Sequence, residues 1–256
     1  MNKVSSHKSL KIIAENIIPV AKSLLGKHIE RIEYKSENDA FTSLDIELQQ
    51  VCFDAIKHME SDAVFISEEL LTKSNCDEFW IIDPLDGTSN FIQGVESFAI
   101  SIAKIVDDSV FAALVIDLSN YEVYTAIKSG GAQLNFSPII PKKPKINLLG
   151  ISTGVIKRNH LNPKGWNFRI LGSQALHLCK VATGAFSATA SFEAKAWDDA
   201  AGSLIVSESG GTYFNRYPDE DWLDLALNQK SLDSIAFSSL ISKHMRLQIM
   251  EMIKHV

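Results

Sequence analysis

Four bulky apolar residues, Phe79-Trp80-Ile81-Ile82, run without a break into Asp83-Pro84-Leu85-Asp86 and then into Gly87-Thr88-Ser89-Asn90-Phe91. The apolar run is short and partly β-branched, as a buried strand is. Pro84 has no N–H and a fixed φ, so the pattern predicts that the strand stops there, with Asp83 and Asp86 projecting from a stiff turn at its end. Gly87-Thr88-Ser89 offers small residues whose backbone N–H groups can face an anion, particularly if a short helix begins there. Two carboxylates beside an anion cradle suggest a divalent cation holding a phosphate. Taken piecemeal, Asp-Pro and Asp-Gly are common turn chemistry, and either aspartate could simply cap the next helix. The whole string is far more specific than its dipeptides.

The rest of the chain must be able to house such a site. With 256 residues, 46% of them hydrophobic, it can bury one large core or two intimately packed halves. A formal net charge of −6 provides no basic footprint for nucleic acid. Cys52, Cys76 and Cys179 are few, odd in number and widely spaced. That argues against a disulfide framework or a zinc site and makes a reducing cytoplasm the expected compartment. The N-terminal residues lack the uninterrupted apolar core of a signal peptide. Ile12 to Leu25 is broken by Glu15, Asn16 and Lys22, so no membrane span is expected. Ser137-Pro138-Ile139-Ile140-Pro141-Lys142-Lys143-Pro144-Lys145 reads as an extended surface connector. It divides the chain into an N-terminal α+β half, residues 1–137, and a C-terminal α/β half, residues 146–256.

Helical spacing marks Ser9 to Leu25, with Leu10, Ile13, Ala14, Ile17, Ile18, Ala21, Leu24 and Leu25 on one face, Pro19 as a bend and Gly26 as a stop. Ile29 to Tyr34 reads as a strand and Lys35 to Asp39 as a loop. A second helical pattern opens at Phe41 and carries Leu44, Leu48, Val51, Cys52, Ala55 and Ile56. Asp45 falls in its first turn, where the helix dipole favours a carboxylate whatever its function. Ala63 to Ile66 is a compact apolar run that ends at Ser67-Glu68-Glu69. If this strand lies beside the one ending at Asp83, Glu68 approaches both aspartates. Further strands are expected at Phe98 to Val106, Val110 to Ile116, Glu122 to Ala126, Leu148 to Ser152 and Gly184 to Ser191. Ser173 reads as the N-cap of one helix and Asp198 as a first-turn carboxylate of another, which Gly210-Gly211 ends. Leu240 to Ile253 reads as a structural C-terminal helix.

Asp83-Pro84-Leu85-Asp86-Gly87-Thr88-Ser89-Asn90-Phe91 resembles the metal-binding signature of the inositol monophosphatase family. Trp197-Asp198-Asp199-Ala200-Ala201-Gly202 resembles the same family's second signature, Trp-Asp-x-Ala-Ala-Gly, and the two stand in the family's order. Its members are Mg²⁺-dependent, lithium-sensitive phosphomonoesterases, bisphosphate nucleotidases and fructose-bisphosphatase-like enzymes among them. The resemblance covers nearly the whole chain and implies an α/β fold, the layered α-β-α-β-α sandwich of that superfamily. It implies hydrolysis of a small phosphate monoester, inositol monophosphate or a related sugar or polyol phosphate, by metal-activated water. Two or three Mg²⁺ ions would be held by Glu68, Asp83, Asp86, Asp198 and the Leu85 carbonyl, a hard-oxygen donor set. Gly87, Thr88 and Ser89 would position the phosphate. Asp86, Gly172, Ser173, Gln174, Glu193 and Asp198 would contact the substrate. Thr88 would give its one proton to Asp45 and turn its lone pairs to the attacking water, a task Glu68 would share. The family's usual state implies a homodimer.

The chain departs from the family pattern in four places. Leu44 stands where many members have a threonine or similar polar residue, and Ser67 replaces the glycine of a Gly-Glu-Glu run. Gln93-Gly94-Val95-Glu96 stands in place of a histidine and an aromatic-proline pair, and Glu193 is about two residues nearer Trp197 than usual. The Asn90-Phe91 ending is closer to the inositol branch than to the nucleotidase branch. Two alternatives stay open: a 3′(2′),5′-bisphosphate nucleotidase, and a regulatory or binding protein with vestigial phosphatase activity, since some members associate with transcription machinery. No Gly-x-x-x-x-Gly-Lys loop is present, which excludes a P-loop kinase.

Overall fold

The computed structural model describes residues 5–26, 32–36, 39–71, 76–159, 161 and 165–253. Helix α1 (His7–Leu25) is capped by Ser6, whose hydroxyl accepts from the Ser9 N–H. Its stripe of Leu10, Ile13, Ala14, Ile17, Ala21 and Leu24 is buried, as the 3.6-residue spacing requires. The helix runs through Pro19, and Gly26 ends it in a right-handed conformation, φ −78°, rather than in the left-handed one of many glycine stops. Strands β1 (Ile32–Ser36) and β2 (Asp39–Thr42) form an antiparallel hairpin. Pairing persists to Ser36 opposite Asp39, so strand replaces part of the loop expected at 35–39. Residues 29–31 and 37–38 lie outside the described residues. Helix α2 (Ser43–Lys57) follows directly, with Thr42 as its cap.

Helices α1 and α2 cover one face of a seven-stranded sheet. Its strands are β3 (Phe65–Ser67), β4 (Glu78–Asp86), β5 (Ala99–Val106), β6 (Ser109–Asp117), β7 (Glu122–Ile127), β8 (Gly131–Leu134) and β9 (Ser137–Pro138), side by side in that order. Side chains alternate across it as the pleat dictates. Trp80, Ile82, Ile100, Ile102, Leu114 and Ile116 face the α1/α2 side, while Phe79, Ile81, Ala103, Ile105, Ala113 and Val115 face the other. Each of the Leu, Ile, Val and Phe side chains among them contributes roughly 1.5–3 kcal/mol by leaving water.

The short helix α3 (Thr88–Gln93) follows β4. The C-terminal part of the chain forms a second sheet from β10 (Leu148–Ile151), β11 (Asn167–Arg169), β12 (Ala188–Ser191), β13 (Thr212–Asn215) and β14 (Ser234–Phe237), ordered β11-β10-β12-β14-β13. Between these strands run α4 (Thr153–Arg158), α5 (Gln174–Ala182), α6 (Ala196–Glu208) and α7 (Trp222–Leu227); α8 (Lys243–Met252) closes the chain. Helices α5 and α6 lie between the sheets. Leu176, Leu178, Val181, Ala200, Ala201 and Ile205 share a core with the inner face of the first sheet and with Ala236 of the second. A Cβ on Gly202 would come within 2.3 Å of Leu178, so glycine sets how closely α6 meets α5. The outer face of the second sheet packs against Val155 of α4 and Ile249 of α8. The result is a layered α-β-α-β-α sandwich.

Two further expectations fail in an instructive way. Strand β4 does not stop at Pro84. Its pairing with β5 passes from Asp83 opposite Ser101 to Asp86 opposite Ala99, with a register shift between. Three steps on β4 thus match two on β5, a bulge that takes Pro84 out of the paired positions, where its missing N–H breaks no ladder bond. The extra residue has a second effect. Residues three apart on a regular strand point to opposite faces, and the bulge returns Asp83 and Asp86 to the same one. The other failure is at Ser137-Pro138, expected within the connector. Both residues pair with Leu134 and Gln133 as an edge strand, a position that tolerates proline.

Candidate active site

Strand β3 runs parallel to β4 with Ser67 opposite Ile82. Glu68 therefore starts beside the end of β4, its N–H donating to the Ile82 carbonyl at 3.1 Å. Beyond the bulge, Gly87 turns the chain into α3 with φ +98°, and a Cβ there would lie 2.8 Å from the Ser97 carbonyl oxygen. Only glycine fits such a turn without strain. From the neighbouring strand of the same sheet, Ser101 on β5 donates to the Trp197 carbonyl at 2.9 Å and so pins the start of α6, where Asp198 is the next residue.

Asp83, Asp86 and Asp198 converge, each offering a carboxylate oxygen within 4.8 Å of the others. In all three, one oxygen is held by a protein donor, which fixes where the other points. Asp83 Oδ1 accepts from the Leu85 N–H at 2.9 Å. Asp86 Oδ2 accepts from the Ser173 hydroxyl at 2.6 Å and the Ala175 N–H at 2.7 Å. Asp198 Oδ2 accepts from the Lys195 N–H at 2.7 Å. Burial is the main cause of their raised pKa values, with mutual repulsion second for Asp83 and Asp198. Asp83 and Asp198 are held well above the usual carboxylate range, and the charges of Glu68 and Asp86 add to both shifts. Asp86 is pushed up to about 6, with the Ser173 hydrogen bond pulling the other way. A crowded, half-dehydrated set of oxygen donors fits a hard divalent cation, which relieves repulsion and dehydration together. Glu68 acts on this cluster through its charge and lies outside the group of three.

Asp45 and Thr88 also meet. The Thr88 hydroxyl lies 3.0 Å from Asp45 Oδ1 and 2.8 Å from the Leu85 carbonyl oxygen. The second oxygen of Asp45 accepts from the Thr42 N–H and hydroxyl at 2.9 and 2.6 Å, closing a capping box at the head of α2. The helix-capping role and the contact with Thr88 therefore coexist, one on each oxygen. Burial raises the pKa of Asp45.

A cavity of about 270 Å³ opens from Asp86 and Asp198 past Gly172, Ser173 and Gln174 to Glu193. The Ser173 hydroxyl already serves Asp86, and the Gln174 side-chain N–H donates to fully buried Asp199 at 2.7 Å. Ser89 sits exposed on α3. Several residues of the site escape sequence reasoning. His177 lines the cavity with its ring nitrogen accepting from the Leu171 N–H at 3.0 Å; burial lowers it to about 4, so it is neutral. It lies one helical turn after Ser173, a spacing that could have drawn attention to it. Asn90, Arg158 and Asp233 do not line the cavity but hold Leu171 and Glu193 at its edge, and they carry no local signal for that role.

Fold and site together define a two-sheet α/β sandwich with a buried carboxylate cluster where the first sheet, α5 and α6 meet. The inositol monophosphatase family profile matches residues 5–243. The chain is 35% identical over 192 residues to Nus factor SuhB of Pasteurella multocida, covering 69% of this chain and 72% of that protein. It is 34% identical over 211 residues to Nus factor SuhB of Haemophilus influenzae, covering 75% and 79%. Among solved structures, the Thermotoga maritima IMPase matches with a TM-score of 0.78 at 26% identity, over 96% of this chain and 97% of that one. An IMPase/NADP phosphatase complexed with Mg²⁺ and phosphate shares the fold, with a TM-score of 0.76 at 20% identity over 94% and 92% of the two chains. The chain belongs to the inositol monophosphatase family. No helix among the described residues is long and apolar enough to cross a membrane.

Proposed function

We propose that the protein hydrolyses a small phosphate monoester, inositol monophosphate or a related sugar or polyol phosphate, with the help of two or three Mg²⁺ ions. The observation that carries this reading is the convergence of Asp83, Asp86 and Asp198 at the mouth of a cavity of small-molecule size. These three, with Glu68 and the Leu85 carbonyl, would hold the metal. Bound there, Mg²⁺ neutralises phosphate oxygens and lowers the pKa of water.

The chain's own residues supply the orientation. Leu85, Ser173, Ala175 and Lys195 fix the carboxylates before any cation arrives, so no reorganisation is needed at the moment of reaction. The N–H groups of Gly87, Thr88 and Ser89 orient the phosphate. Thr88 has one proton and two acceptors within reach, Asp45 and the Leu85 carbonyl. If the Leu85 carbonyl served a cation, that proton would go to Asp45 and leave the Thr88 hydroxyl lone pairs free to accept from a water. Gly172, Ser173, Gln174 and Glu193 form the wall that receives the alcohol portion.

The names of the relatives favour a second reading, a regulatory protein that acts through partners, and that role is compatible with hydrolysis. We also infer inhibition by Li⁺ and a homodimer. The test is phosphate release from a panel of inositol phosphates, phosphoadenosine phosphate, fructose bisphosphate and histidinol phosphate. Release from inositol monophosphate is expected, abolished by EDTA, restored by Mg²⁺ and inhibited by Li⁺. Preference for phosphoadenosine phosphate would favour the nucleotidase, and no release at all would favour the regulatory reading. Full activity after exhaustive chelation would end the metal-dependent mechanism.

A further inference from the structure

Glu193 lines the cavity beyond Asp198, yet its backbone is left-handed, φ +76°, which a glutamate does not adopt without support. The support comes from elsewhere in the chain. Its N–H donates to Asp233 Oδ1 at 3.3 Å. Asp233 is fully buried, and its second oxygen receives Arg158 at 2.8 Å and Arg216 at 3.0 Å. The Arg158 guanidinium also lies 3.5 Å from the Glu193 carboxylate and stacks over Phe192, 5.2 Å from the ring centroid. Space is kept for this arrangement by Gly154, where a Cβ would come within 2.8 Å of the Phe192 carbonyl oxygen and 3.2 Å of Glu193 Cδ. A strained backbone, a buried acceptor and a cleared approach thus all act on one carboxylate. Strain of this kind persists only where the surroundings over-determine it, and it gathers at sites that bind.

We propose that Asp233 and Arg158 are positioning residues that hold Glu193 against the alcohol portion of the substrate and so make the cavity select a hydroxyl-rich leaving group. Asp233 fixes the peptide N–H and neutralises Arg158; Arg158 then steers the carboxylate with a rigid fork. Glu193 presents acceptors only, so it rewards an alcohol that offers O–H donors and does nothing for one that offers none. The inference rests on the phosphomonoesterase reading above.

The test compares kcat/KM for inositol 1-phosphate with that for phenyl phosphate, whose leaving group has no further hydroxyl. Asp233→Asn is expected to lower the inositol/phenyl ratio about tenfold, mainly through KM, as the loss of one charge-assisted hydrogen bond would. Glu193→Gln should lower the ratio similarly, and the double variant should be little worse than either. Arg158→Gln, at a more exposed position, gives the same readout should Asp233→Asn fail to fold. Arg158→Lys keeps the charge without the fork and should recover part of the ratio. In parallel, hydrogen exchange should find the Glu193 amide protected in the natural chain and exchanging faster in Asp233→Asn. An unchanged ratio in Asp233→Asn and Arg158→Gln, beside a lowered one in Glu193→Gln, overturns the positioning role. An unchanged ratio in Glu193→Gln removes Glu193 from substrate recognition, and the proposal with it. If the natural chain hydrolyses neither ester, the phosphomonoesterase reading and the selectivity claim fall together, and the exchange result alone decides whether the clamp exists.

Discussion

Behind the end of the cavity that Asp86 lines, Asp83, Asp86 and Gly87 come from five consecutive residues, and Asp83 is held by a backbone N–H two residues away. At the other end, Glu193 is held by Arg158, 35 residues earlier, and by Asp233, 40 residues later. The first arrangement is written in a short string that, under the proposed mechanism, could not change without disturbing the chemistry. The second depends on three distant single residues, each replaceable without touching a phosphate. A fold that keeps its reacting end local and its recognising end dispersed can change substrate while keeping its reaction.

The largest expected effects lie at the local end. Asp83→Asn or Asp198→Asn should lower kcat/KM by about 10³-fold or more at saturating Mg²⁺, since under the proposed mechanism each would remove a ligand of the charge-stabilising centre. The same change removes a repelled, dehydrated charge, so the metal-free variant should melt about 2–4 °C higher for each kcal/mol relieved. Activity within tenfold of the parent would break the assignment. Next, Asp45→Asn and Thr88→Ala should each reduce kcat by about 10²-fold with little change in KM, and the double variant should be scarcely worse than either.

That local end is also the part legible from residues alone. The apolar run of β4, the Asp-Pro-Leu-Asp-Gly-Thr string and the Ala-Ala-Gly face of α6 each declare themselves within a dozen residues. The bulge at Pro84 did not, because an inserted register step alters no residue type and proline argued for a stop. Strand β13, helix α7 and strand β14 are four to six residues long, too short for a period to develop. Arg158 and Asp233 were invisible for another reason. An arginine at a helix end and an aspartate before a strand are ordinary surface residues until a contact across 75 positions joins them.

A third prediction concerns pH. The folded pKa of Asp86, about 6, lies above its ordinary value of 3.8, so between those two values the folded chain binds more protons than the unfolded one. Stability of the metal-free protein therefore falls as pH rises through that window, and the burden is fully present above it. Calorimetry after EDTA treatment should show Tm declining from pH 4 to 6, with Mg²⁺ at pH 7 restoring what was lost. A metal-free Tm that rises steadily across the same range would contradict the placement of Asp86 as a buried, dehydrated carboxylate.

The smallest effects set the two ends against each other directly, because Gly87 and Glu193 both hold a left-handed backbone. Gly87→Ala should lower stability by about 1–3 kcal/mol, with strain and the Ser97 carbonyl acting together. Glu193→Gly should leave stability unchanged or raise it by at most about 1 kcal/mol, since it relieves strain but frees the unfolded chain. Equal losses in both variants would erase the distinction between a turn that requires glycine and one in which a glutamate is held against its preference.

Asn90 reaches across the site, its side-chain N–H₂ donating to the Ser97 and Leu171 carbonyls at 2.7 Å each, directly above Gly172, where a Cβ would come within 2.5 Å of that nitrogen. In descent this makes positions 90 and 172 an ordered pair. A lineage that acquires alanine at 172 first meets a clash and a φ of +78° at once. One that first shortens Asn90 gives up two hydrogen bonds but opens the space, and only then can 172 begin to drift. The passable route runs through 90, and once 172 has filled, reversion at 90 is closed. Sequences descended from this chain should therefore include changes at 90 with glycine kept at 172, and scarcely ever the reverse.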